Sequence, residues 1–187
     1  MQINIGGGET MSKTLFSVLI SFILIVLVLQ SANAHGPSRQ KVVEKIEISA
    51  SPDKIWEIVK NFSDFSWNPM VKSASQEGSG VGSTRILKFD GDATITQALE
   101  KLVPEKKLIS WRVKESVNEI LAVNSYSAII MVGSEENSKT TVTYKAAFYR
   151  GFMGNDPPEE LNDANSKKKV IRFIKAGLEG LKKVAEK

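Results

Sequence analysis

The side chains that most often carry catalysis are nearly missing from this chain. Of its 187 residues none is cysteine and one, His35, is histidine. Without a thiol there is no cysteine nucleophile, disulfide or thiolate metal site. Without a second imidazole no Ser-His or Cys-His pair can be built inside the fold. A chain starting at His35 could hold copper through its amino group and imidazole, but a second histidine is lacking. Carboxylates, lysines and tyrosines remain, yet no paired acids fall on one face of a predicted pocket. Gly78, Gly80 and Gly82 invite a nucleotide-phosphate reading. That reading needs a helix next, with its N-terminus facing the phosphates. "STRILKF" follows instead, which is a strand pattern, so the glycines predict a hairpin loop placed to gate a cavity mouth.

Binding is the better-supplied chemistry. Strand alternation puts Ile109, Trp111 and Val113 on one face, and Asn124, Tyr126, Ala128 and Ile130 on one face of the next strand. Val142, Tyr144, Ala146 and Phe148 extend the apolar surface, with Arg150 at its end. Gln97 shares a face with Ile95 and Leu99, and Arg85 with Leu87 and Phe89. Polar groups on apolar faces need partners or water. Two readings stay open: a ligand cavity lined by Arg85, Gln97, Trp111, Tyr126, Tyr144 and Phe148, or a filled core whose polar groups satisfy one another. No metal site and no cofactor is expected.

A second candidate is the stretch "FYRGFMGNDPPEEL", residues 148–161. A strand-to-helix connection usually takes about four to six residues, and here roughly twelve separate Arg150 from the helix start. Pro157 and Pro158 stiffen the segment, while Gly151 and Gly154 allow tight bends. Phe152 and Met153 could close the lower end of the cavity. The reading adopted is a rigid exposed loop presenting Tyr149, Arg150, Phe152 and Met153 to a protein partner, since these residue types are enriched at interface hot spots. The basic run "SKKKVIRFIK" reads as the solvated face of the last helix, with docking to an acidic partner as its alternative. A formal charge of +4, with acids and bases interspersed, argues against nucleic acid.

The elements that must position these residues are legible in outline. Lys13 precedes the apolar run "LFSVLISFILIVLVL", and "QSANAHG" follows. A positive residue, an apolar core and small residues at Ala32 and Ala34 make an export signal with an A-x-A cleavage site. The run is shorter than the roughly 20 residues of a spanning helix. Cleavage after Ala34, a mature start at His35, a periplasmic location and no stable membrane insertion are therefore expected. Residues 1–10 carry no positive side chain, and Gly8-Glu9 can be encoded by a purine-rich, ribosome-binding stretch. Translation is expected to start at Met11, leaving 1–10 as a mis-assigned extension, 11–34 as the signal and 35–187 as one domain.

In that domain "QKVVEKIEIS" alternates as a half-buried strand. Ser51 and Pro52 then open a helix carrying Ile55, Trp56 and Val59. "NFSDFSWNP" reads as a second short helical turn stopped by Pro69. About six more strands follow, with residues 133–139 as a hairpin loop. From about Asp163 a long helix puts Val170, Ile174, Gly177, Leu181 and Ala185 on one face. Gly177 and Gly180 weaken it by about 1 kcal/mol each relative to alanine, which close approach to the curved sheet would offset. An antiparallel sheet with one apolar face and one long helix to cover it gives an α+β helix-grip fold.

The strand–helix start "VEKIEISASPDKIWEIVKNFSDFSWNP", the loop "GSGVGSTRILKF" and the terminal helix resemble the START-like polyketide cyclase/dehydrase (SRPBCC) superfamily. "AHGPSRQKVVEKIEI", "NSYSAIIMV" and "AFYRGFMGNDPPEELND" are similar to the MxaD-type periplasmic proteins of bacterial methanol oxidation, although "VNSYS" stands where "TNYS" is expected. The resemblance covers residues 34–187. It implies a helix-grip domain and an accessory role beside methanol dehydrogenase and its cytochrome acceptor. The alternatives are a carrier or sensor of a small hydrophobic ligand, and a cyclase-like enzyme.

Overall fold

A computed structural model of the chain describes residues 36–115 and 118–187. The export signal, the cleavage after Ala34 and the start at Met11 lie outside the described residues. Strand β1 (Gln40–Ile48) leads into helix α1 (Pro52–Val59). Ser51 Oγ accepts from the Lys54 amide at 3.3 Å, and Pro52 opens the first turn, where a missing N–H costs nothing. Ile55, Trp56 and Val59 turn inward, as their spacing predicts.

The strands β2 (Ser73–Glu77), β3 (Thr84–Lys88), β4 (Thr94–Val103), β5 (Leu108–Glu115), β6 (Val123–Glu136) and β7 (Lys139–Arg150) follow. The sheet order is β1-β7-β6-β5-β4-β3-β2, antiparallel throughout. Helix α2 (Asp163–Ala185) closes the chain. Its buried stripe of Val170, Phe173, Ile174, Gly177, Leu178, Leu181 and Ala185 is wider than the predicted face, by Phe173 and Leu178. Asn162 caps it, accepting from the Asn165 amide at 2.8 Å. This is the helix-grip α+β architecture.

The structure corrects the sequence reading of the fold at four places. Residues 61–70 form turns rather than a helix. Asp64 Oδ1 accepts from the Ser66 amide and Asn68 Oδ1 from the Met70 amide, so side chains take the bonds a helix would need. The predicted loop 133–139 is mostly strand, and the turn shrinks to Asn137 and Ser138, both at positive φ (51° and 61°), as a twisted two-residue hairpin requires. In β6 a bulge lies between Asn124 and Ser127, with Ser125 at φ 49°. The extra residue puts Asn124 opposite Tyr149 on the outer face, away from Tyr126. Finally, Gly177 and Gly180 approach the turn at Trp67–Pro69 rather than the sheet.

Candidate functional site: a donor-rich interior and a pinned loop

Five strands bring the predicted cavity residues together. Arg85 on β3 pairs in register with Gln97 on β4, and Leu99 with Trp111 on β5, so these side chains share the inner face. Tyr126 on β6 and Tyr144 and Phe148 on β7 complete the set. All six are buried, none more than 2% exposed. Arg85 Nε donates to Gln97 Oε1 at 2.8 Å and Nη1 to the Phe62 carbonyl at 3.1 Å. Its guanidinium carbon lies 4.2 Å from the ring centres of both Phe62 and Phe65, and 5.0 Å from Trp111. Trp111 meets Tyr144 edge-on at 5.6 Å, and Tyr126 stacks on Phe148 at 6.2 Å.

The sequence reading missed Phe62, Phe65 and Phe173 in this cluster. Phe65 stacks on Phe173 of α2 at 6.2 Å, which links the 61–70 turn to the helix across the sheet's inner face. The signal was present as Phe62 and Phe65 three residues apart, but a helical reading of 61–70 gives no reason to aim them at Arg85.

The electrostatics follow from burial. Desolvation pulls the Arg85 pKa down to about 9, against a raising pull from Tyr144, Asp64 and Tyr126, and leaves it charged at neutral pH. Burial pushes the Tyr126 phenol well up, and pushes Tyr144 to about 12. Their hydroxyls lie 3.5 Å apart. Both phenols stay neutral where the unfolded chain's tyrosines ionise, near pH 10. The stability this represents is therefore complete below about pH 10 and is lost as pH rises through 12. Arg85, whose pKa burial lowers, acts with the opposite sign above about pH 9. Of the chain's three tyrosines, two should escape ionisation at about pH 11. The native phenolate absorbance should there reach no more than about a third of the unfolded chain's. Near-complete titration by that pH would show that Tyr126 and Tyr144 are not buried.

A polar cleft of about 370 Å³ borders Tyr126 at the ends of β5 and β6, with Lys114, Asn118, Asn124 and Gly151 in its wall.

The second candidate, residues 148–161, is held by its own polar groups and by those of its neighbours. Arg150 is 7% exposed, so it is not presented to a partner as the sequence reading expected. It donates to the carbonyls of Phe152 (2.8 Å) and Gly154 (2.6 Å) and pairs with Asp163 Oδ2 at 2.9 Å. Asn124 Nδ2 donates to the Gly151 carbonyl at 2.7 Å, which is the use of its outward placement. Ser166 Oγ accepts from the Gly151 amide and donates to the Ala122 carbonyl, and the Phe152 amide donates back to Leu161. On this frame Phe152 and Met153 stand 38% and 48% exposed. Tyr149 is half-buried on the outer face of β7, with Arg39 5.9 Å from its ring centre.

Residues 39–186 match the family model described as polyketide cyclase / dehydrase and lipid transport. The chain belongs to this family. Solved structures with the same fold include the protein XoxI from Bacillus cereus, 20% identical with a TM-score of 0.66 over 78% of this chain and 94% of that one. The ZhuI aromatase/cyclase from Streptomyces sp. R1128 is 19% identical with a TM-score of 0.64, covering 80% and 94%. Norcoclaurine synthase from Thalictrum flavum, with dopamine and hydroxybenzaldehyde bound, is 16% identical with a TM-score of 0.61, covering 79% and 87%. No curated protein sequence matches the chain. At these identities the likeness carries the fold. One fold can host sites for very different molecules.

Proposed function

We propose that this chain is an exported, non-catalytic binding protein that assists methanol oxidation, docking on methanol dehydrogenase or its cytochrome acceptor. The carrying observation is the loop after β7, where Phe152 and Met153 are exposed while the backbone around them is tied down by Arg150, Asn124 and Ser166. Apolar side chains on a loop already ordered lose little entropy on docking, which is how interface anchors work. The resemblance of "FYRGFMGNDPPEELND" to the MxaD-type proteins supplies the partner, and Tyr149 beside the loop extends the surface.

The test uses protein recovered from the periplasm, whose intact mass should correspond to a start at His35. Replacing Phe152 and Met153 together with serine should leave the melting temperature nearly unchanged. It should weaken binding to methanol dehydrogenase or its cytochrome by at least about 2 kcal/mol, roughly thirtyfold. Unaltered affinity, or collapse of the fold, would sink the docking reading.

A second reading, a carrier of a small ligand, is favoured by the interior. Arg85 Nη2, Gln97 Nε2 and Trp111 Nε1 are buried with no hydrogen-bond partner among the described residues. Buried polar groups in folded proteins are nearly always paired, so unpaired ones clustered at one place support a ligand there.

A further inference from the structure

The interior has more hydrogen-bond donors than acceptors, and the mismatch has a chemical sign. Arg85 and Trp111 can only donate. Gln97 must turn its amide oxygen to Arg85 Nε, 2.8 Å away, so its free atom is the NH₂ donor. Ser83 Oγ, two residues before Arg85, is also buried and unpartnered. The guanidinium is in addition a buried charge, and no carboxylate among the described residues is ion-paired with it. A water could accept from these groups but would not neutralise the charge.

We propose that Arg85, Gln97 and Trp111 form a binding site for a small organic monocarboxylate. The proposal rests on the carrier reading and names its ligand class. A carboxylate only accepts, and its single charge matches that of the buried Arg85 guanidinium. A phosphate dianion would carry surplus charge into an apolar interior. The rings of Phe62 and Phe65 lie over the guanidinium, so an oxygen reaches Nη2 along its edge, where the N–H bonds point and a planar carboxylate fits. The indole N–H of Trp111 adds a donor from β5, the strand beside that of Gln97. Phe65, Trp111 and Phe173 offer apolar contact to an organic body. The cleft at the ends of β5 and β6 reaches Tyr126, whose hydroxyl lies 3.5 Å from that of Tyr144, the ring that Trp111 meets edge-on.

The indole N–H of Trp111 is the reporter. In ¹⁵N-labelled protein its resonance is assigned with Trp111→Phe, and sodium formate, acetate and benzoate are titrated against benzyl alcohol and sodium chloride. At least one carboxylate should move the resonance downfield and saturate. Gln97→Glu gives Arg85 a carboxylate from within the chain and keeps a buried pair, so it should weaken that response at least about tenfold. Arg85→Gln should do the same. An unchanged response in folded Gln97→Glu protein would place binding elsewhere and overturn the proposal. An equal response to chloride would reduce the site to an adventitious ion only and overturn the organic class. Saturable binding of benzyl alcohol with no carboxylate response would overturn the carboxylate while leaving the carrier reading standing. Silence to every probe would remove both.

Discussion

Gly180→Ala should destabilise the protein by about 3 kcal/mol or more, the upper end of what overpacking does. Helix propensity alone gives the opposite sign, since alanine is favoured over glycine by about 1 kcal/mol in a helix interior. The difference lies in what a Cβ would meet. At Gly180 it would run into the Trp67 backbone carbonyl oxygen, with Pro69 Cδ 3.0 Å away. That turn cannot simply retreat. Asn68 inside it donates to the Phe173 carbonyl of α2 at 3.2 Å and accepts from Met70 at 3.0 Å, and its backbone bonds to Phe65 and Val71. Moving the turn would also move Phe65 off Arg85. Gly177 is a milder case, because its Cβ would meet side-chain atoms of Asn68 and Trp67 at 3.0 Å and no backbone atom at closer range. Gly177→Ala should cost about 1 kcal/mol. Urea or thermal unfolding separates the two, with a midpoint drop of roughly 6–12 °C expected for Gly180→Ala. A Gly180→Ala midpoint equal to or above wild type would show that the turn does not press on the helix.

These glycines mark where local patterns stop informing. Glycines in a helical run are legible as an anomaly, and close approach is the correct inference from them. What approaches is a tertiary fact. The turn 61–70 carries Phe62, Phe65 and Trp67 at spacings that suit a short helix, and only the side-chain bonds of Asp64 and Asn68 show that it is not one. The regular parts were readable because they rest on period alone. Strand alternation placed Arg85, Gln97, Trp111, Tyr126, Tyr144 and Phe148 inward, and all six are.

Asn124 failed for a physical reason. A bulge shifts face without shifting composition, and "VNSYS" contains no glycine to announce it. Arg150 failed differently. An arginine at the end of an apolar face followed by an acidic loop reads as an exposed anchor. Its targets are the carbonyls of Phe152 and Gly154, which carry no sequence signal of their own. Phe152 and Met153 were legible as exposed because nothing in the helix pattern claims them.

Ile174→Ala should cost about 2–5 kcal/mol, the range for emptying a fully buried aliphatic site. Ile174 is 0% exposed at the middle of α2, on the stripe with Val170, Leu178 and Leu181 that covers the inner face of the sheet. Its loss removes burial and leaves a hole bounded by two layers that cannot both relax. The neighbouring Phe173 carbonyl is held by Asn68, and the far end of the helix is held by Lys182 Nζ on the Glu47 carbonyl and by the Ser49 amide on Glu186. A helix fixed at both places cannot settle into the gap, which argues for the upper half of the range. Val184, 41% exposed on the same helix, gives the control, and Val184→Ala should stay within about 0.5 kcal/mol of wild type. The two variants differ in burial and share a helix, so a denaturant series with a common slope reads the core contribution directly. An Ile174→Ala midpoint within about one degree of wild type would mean that α2 does not close the sheet, and the helix-grip interior proposed to hold a ligand would lose its lid.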